Sequence, residues 1–381
     1  LMESRHMRIP LLIGGATTSA LHTAVKIAPC YGGPVVYTRD AAMMPSVAQR
    51  LVNPSTRDEA VRDNETEQNR LRHEYASASL IPIETARKNA PKYTRSQFTP
   101  AQPGVHTFDI SIAEAKDMIN WRAFLAAWKL DASFAEIMDI KGCDHCKAQW
   151  LASLQADKVK KGAEAMQLLK EAVRAIDDLE SRNCKIKARV ALLQAHSVAD
   201  DIVVSADGKE LVLPMLRRQL SGETSVSIAD FVAPSDDWIG LFAVTSGKEI
   251  EDIISGFKSE GDDYKAILYQ TIADRLVEAA TELTHLRVRR SLWGYAGDED
   301  DNPRNLLRQY YQGIRPAVGY PSMPDQSLIF ELDKVLDYAS VGISLTEHGA
   351  MAPAASTTGL MISHPDSRYF MLGEIGDCLL Y

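Results

Sequence analysis

The sequence predicts an α+β fold with an antiparallel sheet for most of the chain. Its β-type runs are short and separated by polar turns, and they lie at 188–193, 202–205, 211–213 and 238–245. Long amphipathic helical patterns occupy 158–182 and 252–286, on either side of this group of strands. Strands and helices are therefore segregated rather than alternating, which favours an antiparallel sheet with surrounding helices.

A different pattern, strand then helix then strand, opens the chain. Pro10 to Gly15 is a short apolar run, Ala20 to Ile27 has helical spacing, and Pro34 to Tyr37 is a second β-type run. In a parallel α/β sheet, the loops at the carboxyl ends of the strands carry ligand sites. Taken alone, Gly14-Gly15 is equally explained as a tight turn that leads into a helix. We predict the last part of a Rossmann-like α/β domain over 1–54.

The segments that follow are typical of a connector. Residues 55–79 are rich in Glu, Arg, Asp and Asn with few apolar positions, which indicates a solvated helix. Residues 82–103 contain prolines and polar side chains without periodicity, so we expect an extended linker there. A boundary near Ile110 then divides the chain into a connector, 55–109, and a second domain, 110–381.

The second domain is predicted to begin with a helix over Asp109 to Leu130. Ser111 is placed to cap this helix, and Glu114 lies three positions later, which is the spacing of a capping box. The later helical pattern over 252–286 is expected to break near Gly261, because glycine weakens a helix interior.

Composition excludes several classes of function. The 381 residues are 45% hydrophobic and 24% charged, which is typical of a globular protein with two or three domains. No apolar run is long enough to span a membrane, and a formal charge of −9 argues against a nucleic-acid surface. The five cysteines are odd in number and scattered, so we expect no disulfide framework and a reducing cytoplasmic location. Small molecules and proteins remain as partners.

The segment Arg315 to Pro321, which reads Arg-Pro-Ala-Val-Gly-Tyr-Pro, is the most informative one for binding. An arginine offers paired N–H donors that match a carboxylate. Proline fixes the backbone beside it, and glycine lets a ligand approach the main chain. These residues alone are compatible with a carboxylate site and with an ordinary rigid turn.

Cys143-Asp144-His145-Cys146 invites a metal or redox interpretation. A structural zinc ion needs four ligands, and the sequence contains no second pair of this kind, since Cys184 stands alone. A zinc site, a redox pair and incidental loop cysteines stay open, and we favour the last. His364, which precedes Pro365, is expected to be a structural turn residue.

Several motifs together resemble the reactivation domain of cobalamin-dependent methionine synthases. They are Trp293-Gly294-Tyr295, Tyr311 to Ile314 running into Arg315, and Ser363 to Tyr369. Near the N-terminus, Ile13 to Ser19 followed by His22 to Ile27 is similar to the closing part of the cobalamin-binding domain of the same family. The two matches occur in the order of the family and cover nearly the whole chain.

The resemblance implies a site for S-adenosylmethionine in the second domain and part of a cobalamin site in the first. Carried over by motif position, the S-adenosylmethionine residues are Asn120, Glu278, Arg315, Ala317, Gly319, Tyr320, Tyr369 and Phe370. The cobalamin residues are Gly14, Gly15 and Ala41. The family has an acidic residue where this chain has Asn120, so the charge that would pair with the ammonium group of the ligand is lost there.

The function implied by the resemblance is that of a methyltransferase of methionine biosynthesis. Such enzymes move a methyl group from methyltetrahydrofolate to homocysteine through methylcobalamin. Their activation domain binds S-adenosylmethionine and remethylates inactive cob(II)alamin after reduction by a flavoprotein, either flavodoxin or a diflavin reductase. Because the reduced cobalt attacks the methyl carbon directly, we predict binding residues and no catalytic acid, base or nucleophile.

The family's cobalt-coordinating Asp-x-His-x-x-Gly loop does not occur in this sequence. We therefore expect the chain to be a C-terminal portion of a larger enzyme that binds cobalamin only together with its upstream part. Zinc is expected only in an upstream domain, and the cobalamin domain of the same enzyme is the expected partner. The alternative is a stand-alone corrinoid-reactivation or S-adenosylmethionine-sensing module that docks on a separate cobalamin protein.

Overall fold

A computed structural model describes the chain in two compact units. The described residues are 2, 5–14, 19–38, 43–77, 80–94, 98–140 and 144–373, without the side chains of 73–77 and 144. The first unit comprises Leu1–Thr85 with Gln219–Glu223, and the second comprises Ala86–Arg218 with Thr224–Tyr381.

The first unit contains the predicted order of strand, helix and strand. β1 (Leu11–Ile13) pairs in parallel with β2 (Val35–Tyr37). Between them α1 (Ala20–His22) continues as a π-helical turn, Thr23–Ile27. The Ser19 side chain accepts a hydrogen bond from the His22 N–H at 3.0 Å, which satisfies one of the free donors at the start of the helix.

The remaining helices near the N-terminus are α2 (Met44–Val52), α3 (Arg57–Ser77) and α4 (Ile83–Lys88). The helix predicted from the polar segment 55–79 is therefore present as α3. Its Asn64 and Gln68 amides donate to the Val35 carbonyl at 3.0 and 2.6 Å, which fastens α3 to β2. The prediction of an extended linker over 82–103 was wrong in its first part, because α4 forms there.

The second unit is built on a six-stranded antiparallel sheet, which confirms the predicted α+β class. Its strands are β3 (Gly104–Ser111), β4 (Lys185–Val198), β5 (Asp201–Ala206), β6 (Lys209–Pro214), β7 (Asp237–Thr245) and β10 (Ser356–Met361). They lie in the order β10-β7-β4-β5-β6, and β3 pairs with β4. All four strands predicted from the β-type runs are present.

The helices of this unit are α5 (Ile112–Lys116), α6 (Trp121–Ala127), α7 (Asp144–Ser153), α8 (Val159–Ser181), α9 (Gly247–Ser259), α10 (Asp263–Arg287), α11 (Pro303–Leu307) and α12 (Leu328–Leu336). A short hairpin of β8 (Ser344–Leu345) and β9 (Met351–Ala352) precedes β10. The break predicted near Gly261 is confirmed, because this residue has φ +76° between α9 and α10.

The sheet buries both of its faces, and β4 shows how. Ile186, Val190 and the residues in step with them pack into one core with α8 and α10, whereas Ala191 and Ala195 face a second core with α12. Successive side chains of a strand point to opposite faces, so one strand serves both cores. Ile186 and Val190 are fully buried, and each burial contributes about 1.5–3 kcal/mol.

The predicted helix over Asp109 to Leu130 was wrong in extent. Residues up to Ser111 belong to β3, and two short helices, α5 and α6, follow. The capping box is confirmed: the Ser111 side chain accepts from the Glu114 N–H, and the Glu114 carboxylate accepts from the Ser111 N–H at 2.8 Å. The helix is interrupted because Asn120 caps a new one, α6.

The cysteine cluster is only partly described. Cys143 lies outside the described residues, while Cys146 lies on α7 and is free, as are Cys30 and Cys184. Within the described ranges, no three His, Cys, Asp or Glu residues are grouped so that they could hold a metal ion. None of the helices described here combines the length and apolar content that a membrane span needs.

A close backbone contact fixes the segment 315–321 on strand β10. Val318 N–H donates to the Thr358 carbonyl, and Leu360 N–H donates to the Pro316 carbonyl, both at 2.9 Å. Between these bonds Ala317 lies directly opposite Gly359. A Cβ at Gly359 would overlap the Pro316 carbonyl oxygen and approach the Ala317 Cα to 2.7 Å, so only glycine allows this approach.

We expect Gly359→Ala to lower the free energy of unfolding by about 1–3 kcal/mol, because the added methyl group forces the backbone of the neighbouring segment away. Urea unfolding of the two proteins measures the difference. Gly256→Ala is the matched control: a Cβ at Gly256 in α9 meets nothing within 4 Å, so this change should stabilise by up to about 1 kcal/mol. Equal effects of the two substitutions would contradict the packing argument.

Candidate functional site

The second unit contains a cleft of about 810 Å³ beside the segment 315–321. Its walls come from α10, from the loop that leads into β10, and from the C-terminal residues 369–371. Seven of the eight residues predicted for S-adenosylmethionine line it: Asn120, Glu278, Arg315, Ala317, Tyr320, Tyr369 and Phe370. The fold therefore brings into one cavity residues that are up to 250 positions apart in the sequence.

Gly319 is the predicted residue that does not line the cleft. It adopts φ +87°, and its N–H donates to the Met323 carbonyl at 2.9 Å. A Cβ at this position would overlap the Gln326 amide. Glycine is thus required at position 319 for this backbone turn. The next residue, Tyr320, lies at the mouth of the cleft.

Arg315 is one of the two described arginines that line the cleft, the other being Arg275. The Arg315 backbone N–H donates to the Tyr369 hydroxyl at 3.0 Å, and its Nη2 donates to Glu282 Oε2 at 2.6 Å. Burial alone lowers the pKa of Arg315, but the carboxylate of Glu282 outweighs this effect and keeps the pKa above its ordinary value. Arg315 is therefore charged at every physiological pH.

Glu282 was missed by the sequence analysis. It lies one turn after Glu278 on α10 and is 3% exposed, yet it also lines the cleft. Residues four apart on a helix share a face, so the spacing from Glu278 could have indicated it. What the sequence could not show is that its partner is Arg315, 33 residues further along the chain.

Acidic side chains occupy the α10 wall of the cleft. Glu278 and Asp274 both line it, and Glu278 pairs with Arg275 at 2.9 Å. Burial raises the pKa of Glu278, although the charges of Arg275 and Arg315 act in the opposite direction. Burial also raises the pKa of Asp274. A cleft with two arginines, of which Arg275 pairs with Glu278, and with further carboxylates suits a ligand that carries both a negative and a positive group.

Asn120 reaches the cleft from the start of α6. Its Oδ1 accepts the Ala123 N–H at 3.1 Å and so caps the helix. The amide group that remains is a donor, because asparagine carries one acceptor and two donor hydrogens in its side chain. An aspartate at this position would keep the cap and offer a second acceptor instead.

Aromatic side chains surround the mouth of the cleft. Tyr320 is 56% exposed and Tyr369 is 37% exposed. Two hydrogen bonds to Ser322 hold the backbone of Phe370. The Ser322 hydroxyl donates to the Phe370 carbonyl at 2.6 Å, and the Phe370 N–H donates to the Ser322 hydroxyl oxygen at 3.1 Å. Together with the bond from the Arg315 N–H to the Tyr369 hydroxyl, these bonds fasten residues 369–371 directly against the segment that carries Arg315.

The other residues named from the sequence lie elsewhere. Gly14 is described at the end of β1 in the first unit, whereas Gly15 and Ala41 lie outside the described residues. His364 has a structural role: Nε2 is 2.9 Å from the Thr94 carbonyl, and Nδ1 accepts the Asp366 N–H at 3.1 Å. It is not among the lining residues of the cleft.

The sequence and the fold are similar to those of known proteins. Residues 111–378 match the family of the vitamin B12 dependent methionine synthase activation domain. A crystal structure of the MetH reactivation domain bound to AdoHcy is 32% identical in sequence, with a TM-score of 0.67 over 78% of this chain and 90% of that chain. The chain therefore belongs to the family of B12-dependent methionine synthase activation domains, as the resemblance implied.

Proposed function

We propose that this chain binds S-adenosylmethionine in the Arg315 cleft and supports reductive remethylation of inactive cob(II)alamin within a methionine synthase. The observation that carries the proposal is the pairing of Arg315 with the acidic wall of α10 in one cavity. The related MetH domain was crystallised with AdoHcy, which shares its amino-acid and nucleoside parts with S-adenosylmethionine. Family membership supports the setting in a B12-dependent enzyme.

The polar atoms of the cleft fit a carboxylate. Among the described residues, Arg315 Nε is buried and has no hydrogen-bond partner, and its single side-chain bond goes to Glu282. Arginine has five N–H donors in a planar fork, so Arg315 retains donors for a ligand. Charge-assisted bonds of this kind are about twice as strong as neutral ones.

The remaining parts of the ligand have candidate partners in the same cavity. Glu278 and Asp274 offer carboxylates to the ammonium group, in place of the family's acidic residue at position 120. Ala317 presents its backbone, because it pairs directly with Gly359 and its side chain is small. Tyr320, Tyr369 and Phe370 supply flat surface for the nucleoside.

The side chains of this cleft act by positioning. Cobalamin, when bound, would supply the cobalt nucleophile that attacks the methyl group, so no side chain has to act as a base. Arg315 and Glu278 would hold the two ends of the amino-acid part, which orients the sulfonium and reduces the freedom that must be lost during reaction. Gly14, Gly15 and Ala41 are proposed cobalamin contacts in the first unit, and a flavoprotein is the proposed electron donor.

We expect Arg315→Ala to weaken S-adenosylmethionine binding by about 2–5 kcal/mol, because it removes the partner of the carboxylate and leaves Glu282 uncompensated. Isothermal titration calorimetry measures the affinity, and thermal unfolding verifies that the variant is folded. Arg304→Ala is the control, since Arg304 pairs with Asp139 on the surface at 3.0 Å and does not line the cleft. Unchanged affinity in folded Arg315→Ala would refute the site.

The raised pKa of Glu278 predicts a pH dependence. An acid with a raised pKa takes up its proton at a higher pH than an ordinary glutamate, which has a pKa of about 4.3. Affinity for S-adenosylmethionine should therefore fall as the pH drops from neutral, because the neutral acid no longer attracts the ammonium. Glu278→Gln should bind more weakly at neutral pH and show a smaller slope, with Asp274 responsible for the remainder.

Calorimetry over a pH series tests this expectation. Glu331→Gln on α12 is the control, because Glu331 pairs with Lys334 and does not line the cleft. Parallel pH profiles of the wild type and Glu278→Gln would show that Glu278 does not contact the ammonium.

We expect Asn120→Asp to strengthen binding by about 0.5–2 kcal/mol, because the cap is kept and a carboxylate oxygen replaces an amide donor beside the ammonium. S-adenosylhomocysteine carries the same ammonium and should gain equally, whereas a deaminated analogue should not. The gain should shrink as salt is added. Equal affinities of the wild type and the variant would exclude residue 120 from ammonium recognition.

A further inference from the structure

We propose that Glu282 is a positioning residue that sets the orientation of the Arg315 guanidinium toward the carboxylate of the ligand, and that Arg289 and Glu299 anchor it from behind. The proposal rests on the proposed function of the cleft. It adds a set of residues behind the ligand-binding wall, reaching from the cleft into the core.

Glu282 lies between two arginines. One carboxylate oxygen, Oε2, accepts from Arg315 Nη2 at 2.6 Å, and the other, Oε1, is 3.8 Å from Arg289 Nη1. The side chain of Glu282 is 4% exposed, so this carboxylate is screened little by water. Its position is set by α10, whose backbone is packed against the sheet.

Arg289 is held by Glu299 and by the Tyr311 ring, while its Nη1 has no hydrogen-bond partner among the described residues. Arg289 lies in a π-helical turn, Val288–Leu292, and is fully buried. Its Nε and Nη2 donate to the two oxygens of Glu299 at 2.7 and 2.8 Å, and its Cζ lies 3.9 Å from the centre of the Tyr311 ring. A bidentate pair and a cation–π contact fix both the position and the plane of the guanidinium.

The four side chains form a charged row, Glu299-Arg289-Glu282-Arg315, with alternating signs. Buried ion pairs contribute little net stability, because removing two charges from water offsets their attraction. A contribution to folding stability therefore does not explain why these four charged side chains lie together. Arg315, at 23% side-chain exposure, and Glu282, at 4%, line the cleft, whereas Arg289 and Glu299 do not, so the row fixes the direction of the Arg315 guanidinium from behind.

His285 lies beside the row without adding charge to it. Burial, together with the positive charges of Arg289 and Arg315, lowers the pKa of His285 well below its ordinary value, so the ring is neutral. It packs edge-on against Tyr311, with ring centres 5.3 Å apart. In the absence of a ligand, the row therefore contains two positive and two negative groups, and His285 adds no charge.

Loss of the Glu282 charge has two opposing consequences. The positive potential at the cleft rises, which favours the carboxylate of the ligand. The bond from Arg315 Nη2, the only side-chain hydrogen bond that Arg315 forms among the described residues, becomes a weaker bond to a neutral acceptor. Arg315 also faces Arg289 without an intervening carboxylate. We expect the loss of orientation to dominate, because a bidentate bond depends on the plane of the guanidinium whereas the potential does not.

The test is Glu282→Gln, which removes the charge and keeps the shape. Two ligands are compared by calorimetry: S-adenosylmethionine and decarboxylated S-adenosylmethionine, which lacks only the carboxylate. We expect affinity for the first to fall by about tenfold or more, which corresponds to about 1.4 kcal/mol. Affinity for the second should fall much less, because Arg315 has no carboxylate to bind there and only the more positive potential of the cleft opposes this cationic ligand.

Asp230→Asn is the matched control. Asp230 also forms a buried bidentate pair, with Arg217 at 2.6 and 2.8 Å, and neither residue lines the cleft. This variant should lose stability without changing the affinity for either ligand. If Glu282→Gln does not fold, Glu282→Asp, which draws the carboxylate back by one methylene, should give the same difference between the ligands.

Equal weakening for both ligands would show a purely structural role and overturn the proposal, as would unchanged or tighter binding of S-adenosylmethionine. Failure of the wild type to bind either ligand is a separate result that refutes the proposed function itself, and with it the role of Glu282. A loss that is much larger for the ligand that carries the carboxylate supports both.

Discussion

The packing of α10 against the sheet is the constraint on which the site depends. Its buried positions, such as Ile272, Leu276 and Ala280, belong to the larger core. The helical period then directs Glu278 and Glu282, one turn apart, to the cleft. A shift of α10 relative to the core would move both carboxylates together. The geometry of the site is therefore as rigid as the packing of the core around α10.

The second constraint is the close approach of two backbones at the opposite wall. Pro316 and Ala317 lie on Gly359 of β10, where a side chain has no room. This contact joins the segment that carries Arg315 to the edge of the sheet by ladder-like hydrogen bonds. Both walls of the cleft are therefore built on regular elements of one sheet and helix layer, which favours precise positioning over adaptability.

The charged side chains of the cleft match the two charges of a zwitterion, with Arg315 for a carboxylate and Glu278 and Asp274 for an ammonium group. The charges of the row Glu299-Arg289-Glu282-Arg315 balance one another, while Glu278 and Asp274 at the cleft have raised pKa values because burial penalises their charged forms. A ligand that brings an ammonium relieves that penalty, and one that brings a carboxylate uses the free donors of Arg315. The arrangement favours a ligand with both groups over one with either alone.

Local pattern was sufficient for the strands β4 to β7, the long helices and the capping box at Ser111, because each depends on neighbours within a few residues. The motif around Arg315, together with Trp293-Gly294-Tyr295 and Ser363 to Tyr369, indicated the family, and the carboxylate site at Arg315 stays a prediction. Strand β3 was not predicted, since it forms by pairing with β4, which lies 74 or more residues further along the chain.

The role of Gly319 in a turn, the cap made by Asn120 and the pairing of Glu282 with Arg315 also required the tertiary structure. In each case the deciding contact is made by a group that the fold, and not the local sequence, brings within hydrogen-bond distance.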